Sequence, residues 1–386
     1  MKYTLKSTLF ASLDSDAQNI LNSFDSVIRN VQPLSEKQLR MLPANIRKLS
    51  HELTDERSKR RNGYMNDTVH LSAYVHYFMW WNLVRLTSVF AGLPKTAFDF
   101  LDDDCYCLDL GSGPLTVPIA LYLARPELRK KKLSWYCVDL SHNALCLGEN
   151  ILLSITAQLK GTEWNIIRIK DQPGVNLKHK AAFVSCANMF NELYWDSDRT
   201  PEEIVKKYGT MLLSYTDKQS LIFVAEPGIP RAARFISLLR DFLLRKKAAV
   251  ISPCTHETTC PMDGRKGKKW CHFVLDGKHA PKALQKLSLS AGLPKDRATI
   301  SFVCAKQGEY SEKNKNIVRI ISDPIFISRG VNTHKERCRY ACASWGLTLA
   351  KEYKKGFTCG DEVEYSITHE QIIDLPIDKK TSAKII

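Results

Sequence analysis

The sequence has no long apolar segment. Its longest apolar stretch, Val75 to Val84, contains His76 and Asn82 and is followed by Arg85, so it is too short and too polar to span a bilayer. The chain also begins with mixed polar residues, Met1 to Lys6, without the apolar block and cleavage site of a secretory signal. We therefore expect a cytoplasmic protein that does not enter membranes.

The sequence has fewer acidic than basic residues. The 386 residues include 41 Asp and Glu against 56 Lys and Arg, which gives a formal net charge of +15 and a pI near 9.2. Such a surface attracts polyanions, of which RNA is the usual one, although surplus charge can also serve solubility alone. The basic segment Arg57 to Tyr64 is either a phosphate contact or a solvated helix end. We expect RNA, not DNA, as the partner.

Internal repeats and low-complexity tracts are also absent, and the apolar pattern divides the chain into three regions. Residues 1–95 show helical spacing and predict a helical N-terminal region. Between 96 and 328, strand-like and helical stretches alternate, which predicts an α/β domain whose parallel sheet is covered on both faces. A cysteine-rich insertion lies at about 252–280. Residues 329–386 predict a small β-rich extension.

The α/β region yields definite elements. The predicted strands are Cys105–Leu110, Leu133–Val138, Asn165–Ile169, Ala182–Cys186, Leu221–Ala225 and Ala248–Ile251. The predicted helices are Leu115–Ala124, Asn143–Leu159, Pro201–Ser214 and Pro230–Leu244. In such a sheet a ligand binds beyond the carboxyl ends of the strands.

A glycine-rich turn follows the first of these strands. In Asp109-Leu110-Gly111-Ser112-Gly113, the glycines allow a tight turn and a close approach to a ligand. The second strand ends at Asp139, whose carboxylate can accept hydrogen bonds from the ribose hydroxyls of an adenosine. The third glycine of the nicotinamide fingerprint is missing, because Leu115 stands near that position. The pattern favours an S-adenosylmethionine site.

The ends of two further strands complete the predicted pocket. Asn188 follows the fourth strand, at the edge that would face the methyl group, but its surroundings lack the D/N-P-P-Y/F signature of exocyclic-amine methyltransferases. Glu226 ends the fifth strand and is predicted at the pocket rim, or alternatively as a helix or loop cap. No catalytic residue is assigned. The predicted cofactor-binding residues are Asp109, Gly111, Gly113, Asp139, Asn188 and Glu226.

A C-x2-C knuckle is missing from the cysteine-rich insertion. Cys254, Cys260 and Cys271 lie within 18 residues of Gly-, Pro- and Lys-bearing sequence, which in a reducing compartment predicts a metal site rather than disulfides. The C-x5-C-x10-C spacing favours an iron–sulfur cluster over zinc, which stays the alternative. The candidates for the fourth ligand are Cys342, Cys304, Cys338, His256 and His272.

Five motifs together resemble a known family. They are LDLGSGP at 108–114, FNELYW at 190–195, VAEPGIPRAARFI at 224–236, SPCTHETTCPM at 252–262 and KKWCHF at 268–273. This set is similar to the methyltransferase-like proteins of the mitochondrial small ribosomal subunit and their bacterial relatives, the Rsm22 type, which includes methyltransferase-like protein seventeen. The resemblance covers roughly Leu49 to Gly346.

The resemblance implies a class I, Rossmann-like methyltransferase fold, a four-iron–four-sulfur cluster and a role in maturation of the small ribosomal subunit. The implied cluster ligands are Cys254, Cys260, Cys271 and Cys342. The implied function is an S-adenosylmethionine-dependent methyltransferase acting on small-subunit ribosomal RNA, or, alternatively, a catalytically inactive iron–sulfur assembly factor. The basic loop Asp263–Lys269 departs from the family pattern and is expected to meet RNA phosphates. Asp14 and Asp16 lie where a mitochondrial presequence avoids acids, so we expect a bacterial member.

Overall fold

The structure is a computed structural model, and it describes residues 2–55, 63–193, 199–265, 269–308, 315–328, 335–352 and 356–386. Three sequence predictions fall at least partly outside these ranges: most of the basic segment 57–64, Tyr194 and Trp195 of the FNELYW motif, and residues 266–268 of the basic loop.

The helices and strands are named in chain order, first those up to residue 252 and then those from residue 273. The first set is β1 (Tyr3–Thr8), α1 (Ser15–Asn22), α2 (Phe24–Val31), α3 (Glu36–Thr54), α4 (Thr68–Ala73), α5 (Trp80–Gly92), β2 (Tyr106–Leu110), α6 (Thr116–Ala124), β3 (Ser134–Asp139), α7 (His142–Leu159), β4 (Asn165–Lys170), β5 (Phe183–Ala187), α8 (Phe190–Leu193), α9 (Pro201–Ser214), β6 (Leu221–Pro227), α10 (Pro230–Arg245) and β7 (Ala248–Ser252). The second is β8 (Phe273–Asp276), α11 (Lys282–Ser290), β9 (Arg297–Gln307), β10 (Ile317–Ile320), β11 (Ile325–Ser328), β12 (Lys335–Ala343), β13 (Gly346–Lys351), β14 (Asp361–Tyr365), α12 (His369–Ile373) and β15 (Lys384–Ile385).

The larger sheet has the strand order β4-β3-β2-β5-β6-β9-β7, and β8 also pairs with β9. The pairs from β4 to β6 are parallel, whereas β9 runs antiparallel between β6 and β7. The six strands predicted from the sequence are therefore mutually parallel, and β9 makes the sheet mixed. The long-range pairing of β9 follows no local pattern, which is why the sequence predicted a parallel sheet only.

Helices cover both faces of this sheet. Apolar side chains of α1 to α7 pack on one face, and those of α9 and α10 pack on the other. The result is the doubly wound α/β architecture that was predicted, with the carboxyl ends of β2, β3 and β5 at one edge. Burial of Trp80 and Trp81 on α5 joins the helical region to the same core.

Helix starts in the N-terminal region follow ordinary capping chemistry. The Asp14 carboxylate accepts from the backbone N–H of Ala17 at the start of α1, and Ser35 and Gln38 form a capping box at α3.

The Arg125 guanidinium donates to the carbonyl oxygens of Leu93 and Lys95 at 3.2 and 2.8 Å. These bonds fix the end of the helical region against the α/β domain.

A second sheet has the order β1-β14-β10-β12-β13-β15, with β11 also paired to β12. Its first strand comes from the chain start, since Tyr3 lies opposite Tyr365. The sheet therefore draws β1, β10 and β11 from outside the predicted 329–386 extension, and the predicted boundary at 329 falls inside it. Short strands paired over such distances leave no local signal.

In the described part of the chain, no helix combines the length and apolarity needed to cross a membrane.

Candidate functional site

A cleft opens beyond the carboxyl ends of β2, β3 and β5, and we call it the glycine-turn cleft. It is open to solvent and is lined by residues of the helical region, the glycine turn, the end of β3 and the segment after β5. Four of the predicted cofactor-binding residues line it: Gly111, Gly113, Asp139 and Asn188. The other two, Asp109 and Glu226, lie beneath it.

The glycine turn is shaped by its backbone. Gly111 and Gly113 have φ angles of +67° and +50°, in the left-handed region that favours glycine. The backbone N–H groups of Gly111 and Ser112 donate to the Val138 carbonyl at 2.9 and 3.0 Å, which ties the turn to β3. A Cβ on Gly111 would lie only 2.9 Å from the Met189 side chain. The turn therefore exposes backbone to the cleft at close range.

Leu115, which stands near the position of the missing third glycine, does not obstruct the cleft. It adopts a left-handed φ of +58° as the N-cap of α6, and its side chain is fully buried in the core. The close approach is provided instead by Gly148 of α7, where a Cβ would lie 2.4 Å from the Pro114 carbonyl carbon. The departure noted in the sequence is thus accommodated away from the cleft.

Asp139 lies at the end of β3 and faces the cleft. One carboxylate oxygen accepts from the Gly113 N–H at 2.9 Å, and the other accepts from the Ser141 N–H at 2.8 Å. Burial raises the pKa of this carboxyl group, against these backbone hydrogen bonds. Since each carboxylate oxygen has two acceptor positions, the group can still accept from two ligand hydroxyls.

Asp109 lies under the turn and not on the cleft wall. It is 1% exposed, and its Oδ1 accepts from the Ser185 hydroxyl at 2.7 Å. Its Oδ2 is buried without a hydrogen-bond partner among the described residues. Burial raises its pKa to about 7. The geometry gives Asp109 a supporting position below the glycines, instead of the direct contact with a cofactor that was predicted.

Glu226 also differs from its predicted position at the rim. It is 1% exposed, and its two carboxylate oxygens accept from the backbone N–H groups of Phe190 and Asn191 at 2.9 and 3.0 Å. These donors open α8, so Glu226 has the capping position that the sequence left open as an alternative. It thereby fixes the segment after β5, next to Asn188.

The opposite wall comes from the helical region, which sequence reasoning missed. Tyr64, Met65 and Tyr74 line the cleft, and Tyr74 starts a π-helical turn between α4 and α5. This wall is held by Asn66, whose side-chain oxygen accepts from the Ser141 hydroxyl at 3.1 Å, while its carbonyl accepts from Asn143. The Gly-Tyr pair after the basic segment was the available signal for this wall.

A small cavity lies between α10, β9 and the cysteine-rich insertion, and we call it the cysteine cavity. Cys254, Cys260 and Cys271 line it together with Arg240. Burial, and then the neighbouring Cys254, raise the pKa of the Cys260 thiol to about 11. Burial also raises the pKa of Cys271 well above its usual value, with further increases from Cys260, Cys254 and Cys342. The four predicted ligands are therefore brought to one region.

Two of the other candidate ligands lie elsewhere. Cys304 is fully buried in β9, and burial alone raises its pKa. It packs into the core that α1 to α7 share, whereas its neighbours Phe302 and Val303 line the cavity. The His272 ring stacks on Trp270, with centroids 5.4 Å apart.

Cys342 and Cys338 lie on the same strand, β12, and His256 contacts the first of them. Cys338 is four residues from Cys342, or about 13 Å along an extended strand. His256 Nε2 lies 3.0 Å from Cys342 Sγ. His256 is thus the histidine that the fold brings to the cysteines.

Arg240 supports the cysteine cavity from α10. Only 3% exposed, its guanidinium donates to Cys254 Sγ at 3.2 Å and to the carbonyl oxygens of His256 and Thr258, both at 2.9 Å. From the other sheet, the buried Arg319 donates to the Pro253 carbonyl at 2.9 Å. Two buried cations therefore hold the Pro253–Thr258 segment.

The described residues contain no group of three His, Cys, Asp or Glu side chains arranged to hold a metal ion. The predicted metal-binding insertion is therefore not supported as a preformed ion site. The four cysteines come from three separate segments; Cys254, Cys260 and Cys271 line the cavity, whereas Cys342 lies on β12 and is not part of its lining.

Comparisons with solved structures give distant likenesses. A precorrin-6y C5,15-methyltransferase from Geobacter metallireducens is 12% identical over 58% of this chain and 88% of that chain, with a TM-score of 0.33. The plantazolicin methyltransferase BpumL, solved with a desmethyl-plantazolicin analogue and S-adenosylhomocysteine, is 10% identical over 71% of this chain and 99% of that chain, with a TM-score of 0.36. These TM-scores are too low to support an argument about this chain.

No curated protein matches the sequence. A family model does match, over residues 70–351, and its description is the mitochondrial small ribosomal subunit protein Rsm22. That range includes the glycine turn, Asp139 and all four predicted cluster cysteines. The chain belongs to the Rsm22 family.

Proposed function

We propose that this protein binds S-adenosylmethionine in the glycine-turn cleft and acts as a methyltransferase on small-subunit ribosomal RNA. The observation that carries the cofactor assignment is the pairing of a glycine turn with the Asp139 carboxylate across one cleft. When bound, S-adenosylmethionine supplies an electrophilic methyl group. The chain's own contribution is to bind, orient and exclude water.

The residues present fit this cofactor. Asp139 keeps two acceptor positions for ribose hydroxyls, and Gly111 and Gly113 leave room for a ligand close to the backbone. Asp171, after β4, adds a second carboxylate to the lining. Neither Asp109 nor Glu226 needs to touch the cofactor in this proposal, since each holds a wall of the cleft from below.

Flexible side chains close over the glycine turn. Met189 approaches Gly111, and the Met65 side chain lies within 3.4 Å of the position of a Cβ on Gly113. Unbranched methionines can move aside at small cost when a ligand enters. Tyr64 and Tyr74 then form an aromatic wall that keeps water from the reacting groups.

Support for the ribosomal partner comes from the family and from charge. Family membership covers residues 70–351, and the net charge of +15 suits an RNA partner. The test is sedimentation of the purified protein with small subunits isolated from cells that lack it. Co-sedimentation that weakens as salt rises is expected, and absence of binding at low salt would contradict the proposal.

Binding without turnover is the second candidate function, and one observation favours it. The segment after β5, Asn188 to Asn191, lacks the amine-methylating signature, and Glu226 uses the backbone of Phe190 and Asn191 to form α8. Incubation of those subunits with methyl-labelled S-adenosylmethionine separates the two candidates. Label in the RNA supports the enzyme, whereas co-sedimentation without label supports the assembly factor.

For the cysteine cavity we propose a four-iron–four-sulfur cluster held by Cys254, Cys260, Cys271 and Cys342. Three of these thiols line one cavity, and the electrostatic influence of the fourth reaches them. A four-iron–four-sulfur cluster is held by four cysteine thiolates, and His256 Nε2, 3.0 Å from Cys342 Sγ, brings the fourth cysteine next to the segment that carries Cys254 and Cys260. Arg240 would donate to the Cys254 sulfur, and such hydrogen bonds tune cluster potentials.

Iron, zinc and acid-labile sulfide, measured on anaerobically purified protein, test the cluster proposal. Iron and sulfide in equal amounts, with a brown colour, support it. One zinc per chain without iron would support the zinc alternative and leave the glycine-turn cleft unaffected.

A further inference from the structure

The connection between β4 and β5 differs from the other crossovers of the larger sheet, because the loop 171–182 contains no helix. On the face where α10 covers β6 and β7, Val175 and Leu177 of this loop pack against the same apolar cluster as Tyr106 of β2 and Ile167 of β4. The loop's polar side chains are left to face solvent.

Three aromatic rings form a continuous stack at this place. The His179 ring lies on Tyr106 with centroids 4.2 Å apart and planes at 12°, and Tyr106 lies on Tyr136 at 5.3 Å and 15°. Tyr136 is buried and His179 is exposed. The stack therefore runs from the core to the surface and ends on an imidazole ring that solvent can reach.

The loop also frames a cavity of about 730 Å³ that is open to solvent. The consecutive residues Lys178, His179 and Lys180 line it, and no carboxylate does so in the described part of the chain. Tyr215 fixes the loop, because its hydroxyl donates to the Val175 carbonyl at 2.9 Å and accepts from the Gly174 N–H at 3.1 Å. The cavity is thus positive and preformed.

We propose that this cavity and its stack, the His179 platform, bind single-stranded RNA. An unpaired base stacks on His179, and the adjoining phosphates contact Lys178 and Lys180. Aromatic rings accept unpaired bases of any sequence, while base-paired RNA hides its ring faces. The lysines provide the charge that tracks a backbone. This inference rests on the ribosomal RNA partner of the proposed function and gives it a location.

Titration of a fluorescent single-stranded oligoribonucleotide with the full-length protein tests the platform. His179→Ala removes the exposed ring, and we expect binding to weaken by about 5- to 100-fold, the usual range for loss of one stacked base. His179→Phe retains an aromatic ring and restores most of the affinity. If His179→Ala binds as well as the unchanged protein, or if an RNA duplex binds as well as the single strand, the inference is wrong.

The contribution of the lysines is measured separately, from the salt dependence of RNA binding. Lys178→Ala lowers the slope of log affinity against log salt by about 0.7, the value for one phosphate contact on a single strand. Lys282→Ala, an exposed lysine on α11, removes the same charge from an element that packs against α3. An equal change in slope for Lys282→Ala would show a diffuse charge effect and overturn the platform.

S-adenosylhomocysteine binding to the same variants separates this inference from the proposed function. We expect unchanged affinity for all of them, because none of these residues lines the glycine-turn cleft. If the unchanged protein binds neither ribosomal subunits nor RNA, the ribosomal partner is wrong and the platform falls with it. If it binds both and His179→Ala does too, only the platform is wrong.

Discussion

The glycine-turn cleft and the cysteine cavity are built from the chain in different ways. The cleft takes its turn and its carboxylate from residues 111 to 141, and the backbone N–H groups of Gly113 and Ser141 donate to Asp139. The cysteine cavity is lined by three cysteines of the insertion at 254–271, and Cys342, which lies near them, belongs to the other sheet. The glycine-turn side of the cleft is therefore local and hydrogen-bonded, whereas the four cysteines come together only when the two sheets pack against each other.

The two sites also differ in how their ionisable groups are stabilised. In the cleft, Asp139 already has donors, so the site is ordered before any ligand arrives. In the cysteine cavity, burial raises the pKa of Cys260, Cys271 and Cys342. A metal group must displace these protons, so its binding stabilises the fold as it forms. Any ligand that binds the folded state stabilises it, but we expect the empty cleft to leave the fold intact, whereas loss of the metal group should lower the free energy of unfolding strongly.

The largest expected effect is at the cavity. Cys260→Ser removes a thiol that lines it, and we expect loss of most bound iron together with a lower free energy of unfolding. Metal analysis and thermal unfolding of the purified variant measure both. Cys146→Ser, on α7 and outside the cavity, is the matched control and keeps its iron. Full metal content in Cys260→Ser would refute the ligand assignment.

The next largest effect is the pH dependence of stability that Asp109, below the cleft, should cause. Its folded-state pKa, about 7, lies above the ordinary value of 3.8 because it is buried. The folded state thus holds the proton more tightly, so this residue's contribution to stability is present below about pH 4 and is lost as pH rises through 7. Asp109→Asn removes that loss, at up to about 1.4 kcal/mol per pH unit.

Urea unfolding from pH 4 to 8 measures the difference between Asp109→Asn and the unchanged protein. The stability difference should grow in favour of Asn between pH 4 and 7 and then level off. Asp103→Asn, an exposed acid beside the same strand, serves as control. Parallel pH profiles for Asp109→Asn and the unchanged protein would show that Asp109 is not held protonated.

Asp139→Ala tests the cleft itself. Removal of a carboxylate that accepts two ligand hydroxyls should weaken S-adenosylhomocysteine binding by about 10- to 100-fold, equivalent to about 1.5–3 kcal/mol for hydrogen bonds to a charged group. Iron content should stay unchanged, which separates the two sites. Calorimetric titration gives the affinity, with Glu163→Gln, an exposed acid before β4, as control. Unchanged affinity would remove Asp139 from the site.

The smallest effect is steric. Gly111→Ala introduces a side chain at a φ of +67° and 2.9 Å from Met189, and we expect a loss of about 1–2 kcal/mol in unfolding free energy. Gly292→Ala, at a φ of +69°, meets first the guanidinium of the flexible Arg47 side chain, at 3.3 Å, so it reports similar backbone strain with little contact. Adding Met189→Ala to Gly111→Ala should recover part of the contact cost, because Cγ and Sδ are removed while Cβ stays at 2.9 Å. Equal costs at Gly111 and Gly292 would contradict the close approach.

Local patterns in the sequence predicted much of this structure. Apolar periodicity predicted six strands and four helices of the α/β domain. The glycine turn and Asp139 line one cleft, as expected for motifs at the ends of two neighbouring parallel strands. The antiparallel β9 and the pairing of β1 with β14 depend on distant partners. Side-chain direction was also unpredictable at Asp109 and Glu226, because hydrogen bonds to Ser185 and to α8 draw them beneath the cleft. Tyr64 and Tyr74 reach the cleft only through tertiary packing.

One experiment tests directly whether two chemically different groups occupy two separate sites. Protein purified without oxygen is assayed on a single sample for iron, sulfide, zinc and S-adenosylhomocysteine binding. We expect about four irons with matching sulfide per chain, and cofactor binding that Asp139→Ala weakens while iron is retained. A colourless, iron-free protein that binds no S-adenosylhomocysteine would contradict this expectation.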